Sequence, residues 1–117
     1  KSALKEIDTC IIYSRDANGD WIDRVKEHLT EDVLITIDVD GFDPSIMPAT
    51  GTPEPGGLGW YQVTDLLKEV CLAKNVVGCD IVELAPIKGL HAPDYLCARL
   101  LYKFIGYHGY LRRALLQ

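Results

Sequence analysis

Two aspartates two residues apart, Asp38 and Asp40, close an apolar run, Val33-Leu34-Ile35-Thr36-Ile37. Side chains alternate along an extended chain, so residues at this spacing leave a strand on the same side. Carboxylates held so close repel, and each resists ionisation unless a cation or a hydrogen-bond donor lies between them. A cation answers that repulsion, and ligation by oxygen alone selects hard ions such as magnesium, manganese or calcium over thiolate-seeking ones. A third carboxylate, Asp43, reads as an Asx-type turn ahead of Pro44. Asp80 and Glu83 add acidic groups near the end of a second apolar run. Asp80 lies three residues before Glu83, so in a regular strand it faces the opposite way and reads either as supporting the site's ligands from behind or as structural.

The elements that must carry these groups follow from periodicity. Val33 to Val39 reads as a fully buried strand, and open α/β sheets place their ligands beyond the carboxyl ends of such strands. Thr9 to Tyr13 predicts a short buried strand before it, and Val76 to Leu84 another after it, stopped by Ala85-Pro86. Asp20, as N-cap, opens a helix whose apolar face is Ile22, Val25 and Leu29. Trp60 to Lys74 predicts a second helix with Val63, Leu66, Leu67, Val70 and Cys71 inward and Asn75 as its C-cap. Pro93 starts a last helix with Cys97, Leu101, Phe104 and Ile105 as the inner stripe, its tail weakened by Gly106 and Gly109. Strand and helix thus alternate through residues 1–117 as in one α/β domain, three-layer α/β/α with a mostly parallel sheet covered on both faces. A sheet of three strands leaves two open edges, which points to a chain that is part of something larger.

The totals narrow the class. The 117 residues are 48% hydrophobic and 25% charged, with a net charge of −5, as in a folded domain. No apolar run approaches the roughly 18 residues that cross a bilayer, and no secretory segment precedes the first expected strand. No basic cluster extends beyond Arg112-Arg113. A cytoplasmic protein with neither a membrane nor a nucleic-acid partner is the expectation. The four cysteines, Cys10, Cys71, Cys79 and Cys97, sit in apolar patterns and form no C-x-x-C pair, which predicts buried free thiols. Of the histidines, His28 reads as a solvated residue near a helix end, His91 as a polar neighbour of a helix N-terminus, and His108 as structural or solvated. Trp60 and Tyr61 read as core or subunit-contact residues.

Gly41 to Gly59 is too long and too patterned for mere connection. An EF-hand is excluded, because its turn glycine would come two places later and no glutamate closes the loop. A phosphate loop is excluded for want of Gly-Lys-Ser/Thr. The longer pattern is more specific: Asp38-Val39-Asp40-Gly41-Phe42-Asp43-Pro44, then Pro48-Ala49-Thr50-Gly51-Thr52-Pro53 and Gly56-Gly57-Leu58. It resembles the ureohydrolase family of arginases, agmatinases and formimidoylglutamases. Asp80-Ile81-Val82-Glu83-Leu84-Ala85-Pro86 is similar to that family's later Asp-x-x-Glu segment.

The resemblance implies a set of roles. Asp38 and Asp40 would be ligands to a pair of manganese ions, whose bridging hydroxide attacks a guanidinium carbon and releases urea. Glu83 would be the catalytic carboxylate that faces the substrate, since a planar guanidinium pairs best with a planar acceptor. Thr52 would either touch the substrate or hold the loop. The family's earlier ligands, a histidine after Gly-Gly-Asp and an Asp-Ala-His-x-Asp motif, do not occur here. The chain therefore reads as the last three strands and helices of the arginase-like fold, the C-terminal part of a ureohydrolase, with two of six expected ligands. Pro-Glu-Pro-Gly-Gly-Leu and Glu-Leu-Ala-Pro look more like agmatinases than arginases. The family also implies trimers or hexamers and a small guanidino substrate. Two other readings compete: an aspartyl-phosphate phosphatase with Asp38 as nucleophile, although Phe42 stands where those enzymes carry threonine, and a non-catalytic α/β assembly domain whose aspartates only hold a loop.

Overall fold

The computed structural model describes residues 9–115. Helix α1 (Trp21–His28), strand β1 (Asp32–Asp38), helix α2 (Trp60–Ala73), strand β2 (Asn75–Val82), helix α3 (Ala92–Gly106) and the short α4 (Arg112–Leu115) follow one another. β1 and β2 pair in parallel, with α2 as the crossover, so the centre of the chain is a β-α-β unit. The register runs from Asp32 opposite Asn75 to Asp38 opposite Val82, with one irregularity after Val33 that leaves Val77 as the extra residue. There Gly78 lies against Leu34, and a Cβ at Gly78 would stand 2.9 Å from Leu34 Cδ1.

The strand expected at Thr9 to Tyr13 does not form. Ile11 and Tyr13 are 67% and 60% exposed, and the chain turns into a 3-10 helix at Ser14–Asp16. A strand needs a neighbour to bond to, and the described residues offer none to this segment. The sheet therefore has two strands among the described residues rather than three.

α2 owes its seat to the expected apolar spacing: Val63, Leu67, Val70 and Cys71 are buried, with Thr64 beside them. Gln62 fixes its first turn twice over, accepting from the Gly59 amide at 2.8 Å and donating to the Ala17 carbonyl at 2.9 Å. Asn75 is not a C-cap but the first residue of β2, because its amide donates to the Glu31 carbonyl and its side chain to Asp32 Oδ1. Asp20 precedes α1 without capping it through its side chain. Lys26 of α1 reaches Asp23 at 2.8 Å and Glu69 of α2 at 3.6 Å, tying the two helices at their surface.

The core joins helices, strands and loop. Val39, Phe42, Met47 and Ala49 of the loop pack with Val63 and Leu67 of α2 and Cys97 and Leu100 of α3. Full burial of side chains such as Phe42 or Met47 stabilises by roughly 1.5–3 kcal/mol each, so this loop is anchored in the core. Ile35, Ile37 and Ile81 face the same cluster, while Val33 and Val76 meet Val70 and Cys71 in a second one. The opposite sheet face carries Leu34, Thr36, Val77, Asp80 and Val82, all exposed. Cover on both faces was the expectation; the described residues supply a helical layer to one face.

α3 turns a different stripe inward from that expected. Pro93, Cys97 and Leu100 are buried, whereas Leu101 and Ile105 are 45% and 60% exposed. Its tail passes through a π-helical turn, Tyr107–Leu111, into α4. His108 holds that turn, its Nε2 3.0 Å from the Val76 carbonyl and its ring stacked on Phe104. All four cysteines are free; Cys71 and Cys97 are buried and Cys79 half-buried, but Cys10 is exposed, against expectation. Burial pushes the Cys71 thiol up to about 11, and the same effect raises Cys79 and Cys97. No described helix is long and apolar enough to cross a membrane.

Candidate metal centre

Asp38 is the last residue of β1, and Asp40 lies beyond the strand in a 3-10 turn, Val39–Gly41. Strand alternation therefore does not relate the two carboxylates. The Asp40 amide does so instead, donating to Asp38 Oδ1 at 2.9 Å. The turn buries Val39 completely and leaves the acids on either side of it. No described Lys or Arg pairs with Asp38 or Asp40.

The oxygens of Asp40 differ. Oδ2 accepts the Thr52 hydroxyl, while Oδ1 is buried and receives no hydrogen bond. An ionised oxygen without a donor costs the desolvation of that group, about 1–3 kcal/mol or more for a charge. A divalent cation against Oδ1 would remove that cost, so the donor chemistry fits a hard ion. Among the described residues no three His, Cys, Asp or Glu side chains gather as a metal-binding set. Asp38 and Asp40 are thus two candidate oxygen donors at the end of β1. A second orphan, the Thr50 hydroxyl, lies on the same loop.

Register relates Glu83 to the end of β1. Val82 stands opposite Asp38, so Glu83 is one residue beyond the level of the first aspartate on a neighbouring strand about 4.8 Å away. Its backbone is left-handed, with φ +68°, a conformation that costs a side-chain-bearing residue about 1–3 kcal/mol. That turn ends the parallel pairing and lets Leu84 form an antiparallel bridge with Thr50. Asp80 is exposed in mid-strand opposite Thr36.

Asp43 organises the loop from within. Its Oδ1 accepts the Ser45 amide at 3.0 Å and its Oδ2 the Gly56 amide at 3.1 Å, across thirteen residues. The Ser45 hydroxyl, then the Ser45 and Gly56 amides, hold its carboxyl below the ordinary carboxylate value. Its expected turn role is thus what the structure shows. His91 is exposed ahead of α3, 4.0 Å from Asp94, and His28 is exposed with Nδ1 2.7 Å from the Arg24 carbonyl. Trp60 packs on the core, while Tyr61 is exposed.

Sequence reading missed two contributors. Ser14 donates to the Gly56 carbonyl at 2.6 Å, clamping the N-terminal turn to the loop, and Gln62 ties that turn to α2. No local signal announces contacts spanning 42 and 45 residues.

The sequence profile of the arginase family matches residues 3–106. The chain belongs to the arginase family. Within that family, it is 41% identical over 94% of its length to an N(1)-aminopropylagmatine ureohydrolase of Synechocystis, and covers 37% of that protein. It is 39% identical over 81% of its length to an agmatinase of Pyrococcus horikoshii, of which it covers 34%. The crystal structure of agmatine ureohydrolase of Thermoplasma volcanium superposes with a TM-score of 0.70 at 37% identity, over 81% of this chain and 33% of that one. The fold is thus arginase-like α/β, and the chain spans about a third of the length of the arginase-family relatives it matches.

Proposed function

We propose that the protein to which this chain contributes is a manganese-dependent amidinohydrolase that converts a linear, agmatine-like guanidine to an amine and urea. In that reading residues 1–117 form a single, partial arginase-like domain, and Asp38 and Asp40 are ligands of a two-ion centre completed by residues outside this set. The observation that carries it is the alignment of Asp38 with Val82. It supports a Glu83 that follows the residue paired with Asp38, and the Asp40 Oδ1, buried without a donor, supports a cation beside it.

In the reaction, water adds to the guanidinium carbon, the bond to the alkyl nitrogen breaks, and that nitrogen takes up both protons of the water to leave as an ammonium beside urea. A bound pair of divalent ions supplies an activated water and charge stabilisation. Glu83 accepts hydrogen bonds from the guanidinium and turns its carbon toward the aspartates. Substrate contact by Thr52 would use its hydroxyl lone pairs, because its proton goes to Asp40. The names of the relatives favour a substrate with an amine tail, and a net charge of −5 favours the approach of such a dication. A cytoplasmic homo-oligomer, trimer or hexamer, with neither nucleic acid nor membrane as partner, belongs to the same reading. The family match leaves the aspartyl-phosphate and assembly-domain alternatives without support.

The test is urea release from agmatine, aminopropylagmatine and arginine by the manganese-loaded protein, with metal content measured beside it. Release from the first two, and loss of both metal and activity in Asp40→Ala, is the expected result. No urea from any linear guanidine, with unchanged metal in the variant, would end the proposal.

A further inference from the structure

The loop that carries Thr52 is held at several points before Thr52 reaches Asp40. Asp43 gathers the Ser45 and Gly56 amides, Ala85 donates to the Ala49 carbonyl at 2.9 Å, and Ser14 grips the Gly56 carbonyl. The hydroxyl therefore arrives from a fixed backbone, on a β-branched side chain with few rotamers. Its target is the soft part of the centre, because the terminal torsion of an aspartate is broad and a lone carboxylate swings freely. Thr52 removes that freedom by holding Oδ2, and the oxygen left over is the buried Oδ1.

We infer that Thr52 is the positioning residue of the metal centre, fixing the Asp40 carboxylate so that its buried oxygen is directed at a divalent cation before the cation arrives. The inference rests on the reading of Asp38 and Asp40 as cation ligands. It differs from substrate contact, since Thr52 acts through Asp40 and its effect is present with no substrate bound. Groups that orient a ligand from behind typically change metal affinity by about 10- to 100-fold when removed.

The experiment titrates manganese into the metal-free, full-length protein by calorimetry, with the Mn(II) paramagnetic resonance spectrum as a second readout and no guanidine present. Thr52→Val keeps the shape and removes the donor, while Thr52→Ser keeps the donor. Because Thr52 is exposed, neither substitution touches the core. The inference expects Thr52→Val to bind manganese at least about tenfold more weakly, Thr52→Ser to bind as the parent does, and both metal-free melting temperatures to match the parent. Unchanged affinity in Thr52→Val overturns it. So does a parallel loss of affinity and metal-free stability in both variants, which marks a loop-holding role only. Asp40→Asn separates the levels: if it binds manganese like the parent, the reading of the centre itself fails. If it loses the metal while Thr52→Val does not, only the inference fails.

Discussion

The amide of Ala85 donates to the carbonyl of Ala49 at 2.9 Å, closing a seam between the loop after β1 and the chain that leaves β2. Thr50 and Leu84 pair across the same seam. The two motifs, some forty residues apart in sequence, are therefore one structural unit, and Glu83 is the residue at which β2 turns into it.

That turn has a measurable signature. Glu83 has φ +68°, where a Cβ is unfavourable and glycine is not. Glu83→Gly is expected to stabilise the fold by about 1 kcal/mol, and Glu83→Ala to give no such gain, in urea denaturation curves. Under the proposed function both variants lose guanidine hydrolysis, so stability and function part company at this position.

The loop also depends on a close backbone approach. A Cβ on Gly57 would stand 2.4 Å from the Phe42 carbonyl carbon, whereas one on Gly56 meets nothing within 4 Å but sits at φ +83°. Gly56→Ala is therefore expected to cost about 1–2 kcal/mol through its backbone alone. Gly57→Ala should cost about 3 kcal/mol, since the obstruction is main chain and cannot rotate away. Equal melting temperatures for the two variants would contradict this packing.

Asp43 predicts a pH dependence. Its folded pKa lies below the ordinary 3.8, so its contribution is present above that value and is lost as pH falls through the lower folded value. The Gly56 and Ser45 amide resonances should titrate together below pH 3.8, and Asp43→Asn should abolish that step. A midpoint above 3.8 would show that the carboxylate is not held as described.

Residue types and local spacing determined much of this protein. The apolar periods of α2, β1 and β2, the motif from Asp38 to Leu58, and the placement of Asp38 and Glu83 at strand ends were all legible, because each depends on neighbours a few residues away. Tertiary structure alone decided the rest. Asp40 left the strand, Thr52 found its carboxylate twelve residues back, Ser14 reached Gly56 across 42, and Thr9 to Tyr13 found no strand partner among the described residues. A period reports which face a residue presents, whereas a hydrogen bond between distant segments exists only once the chain has closed on itself.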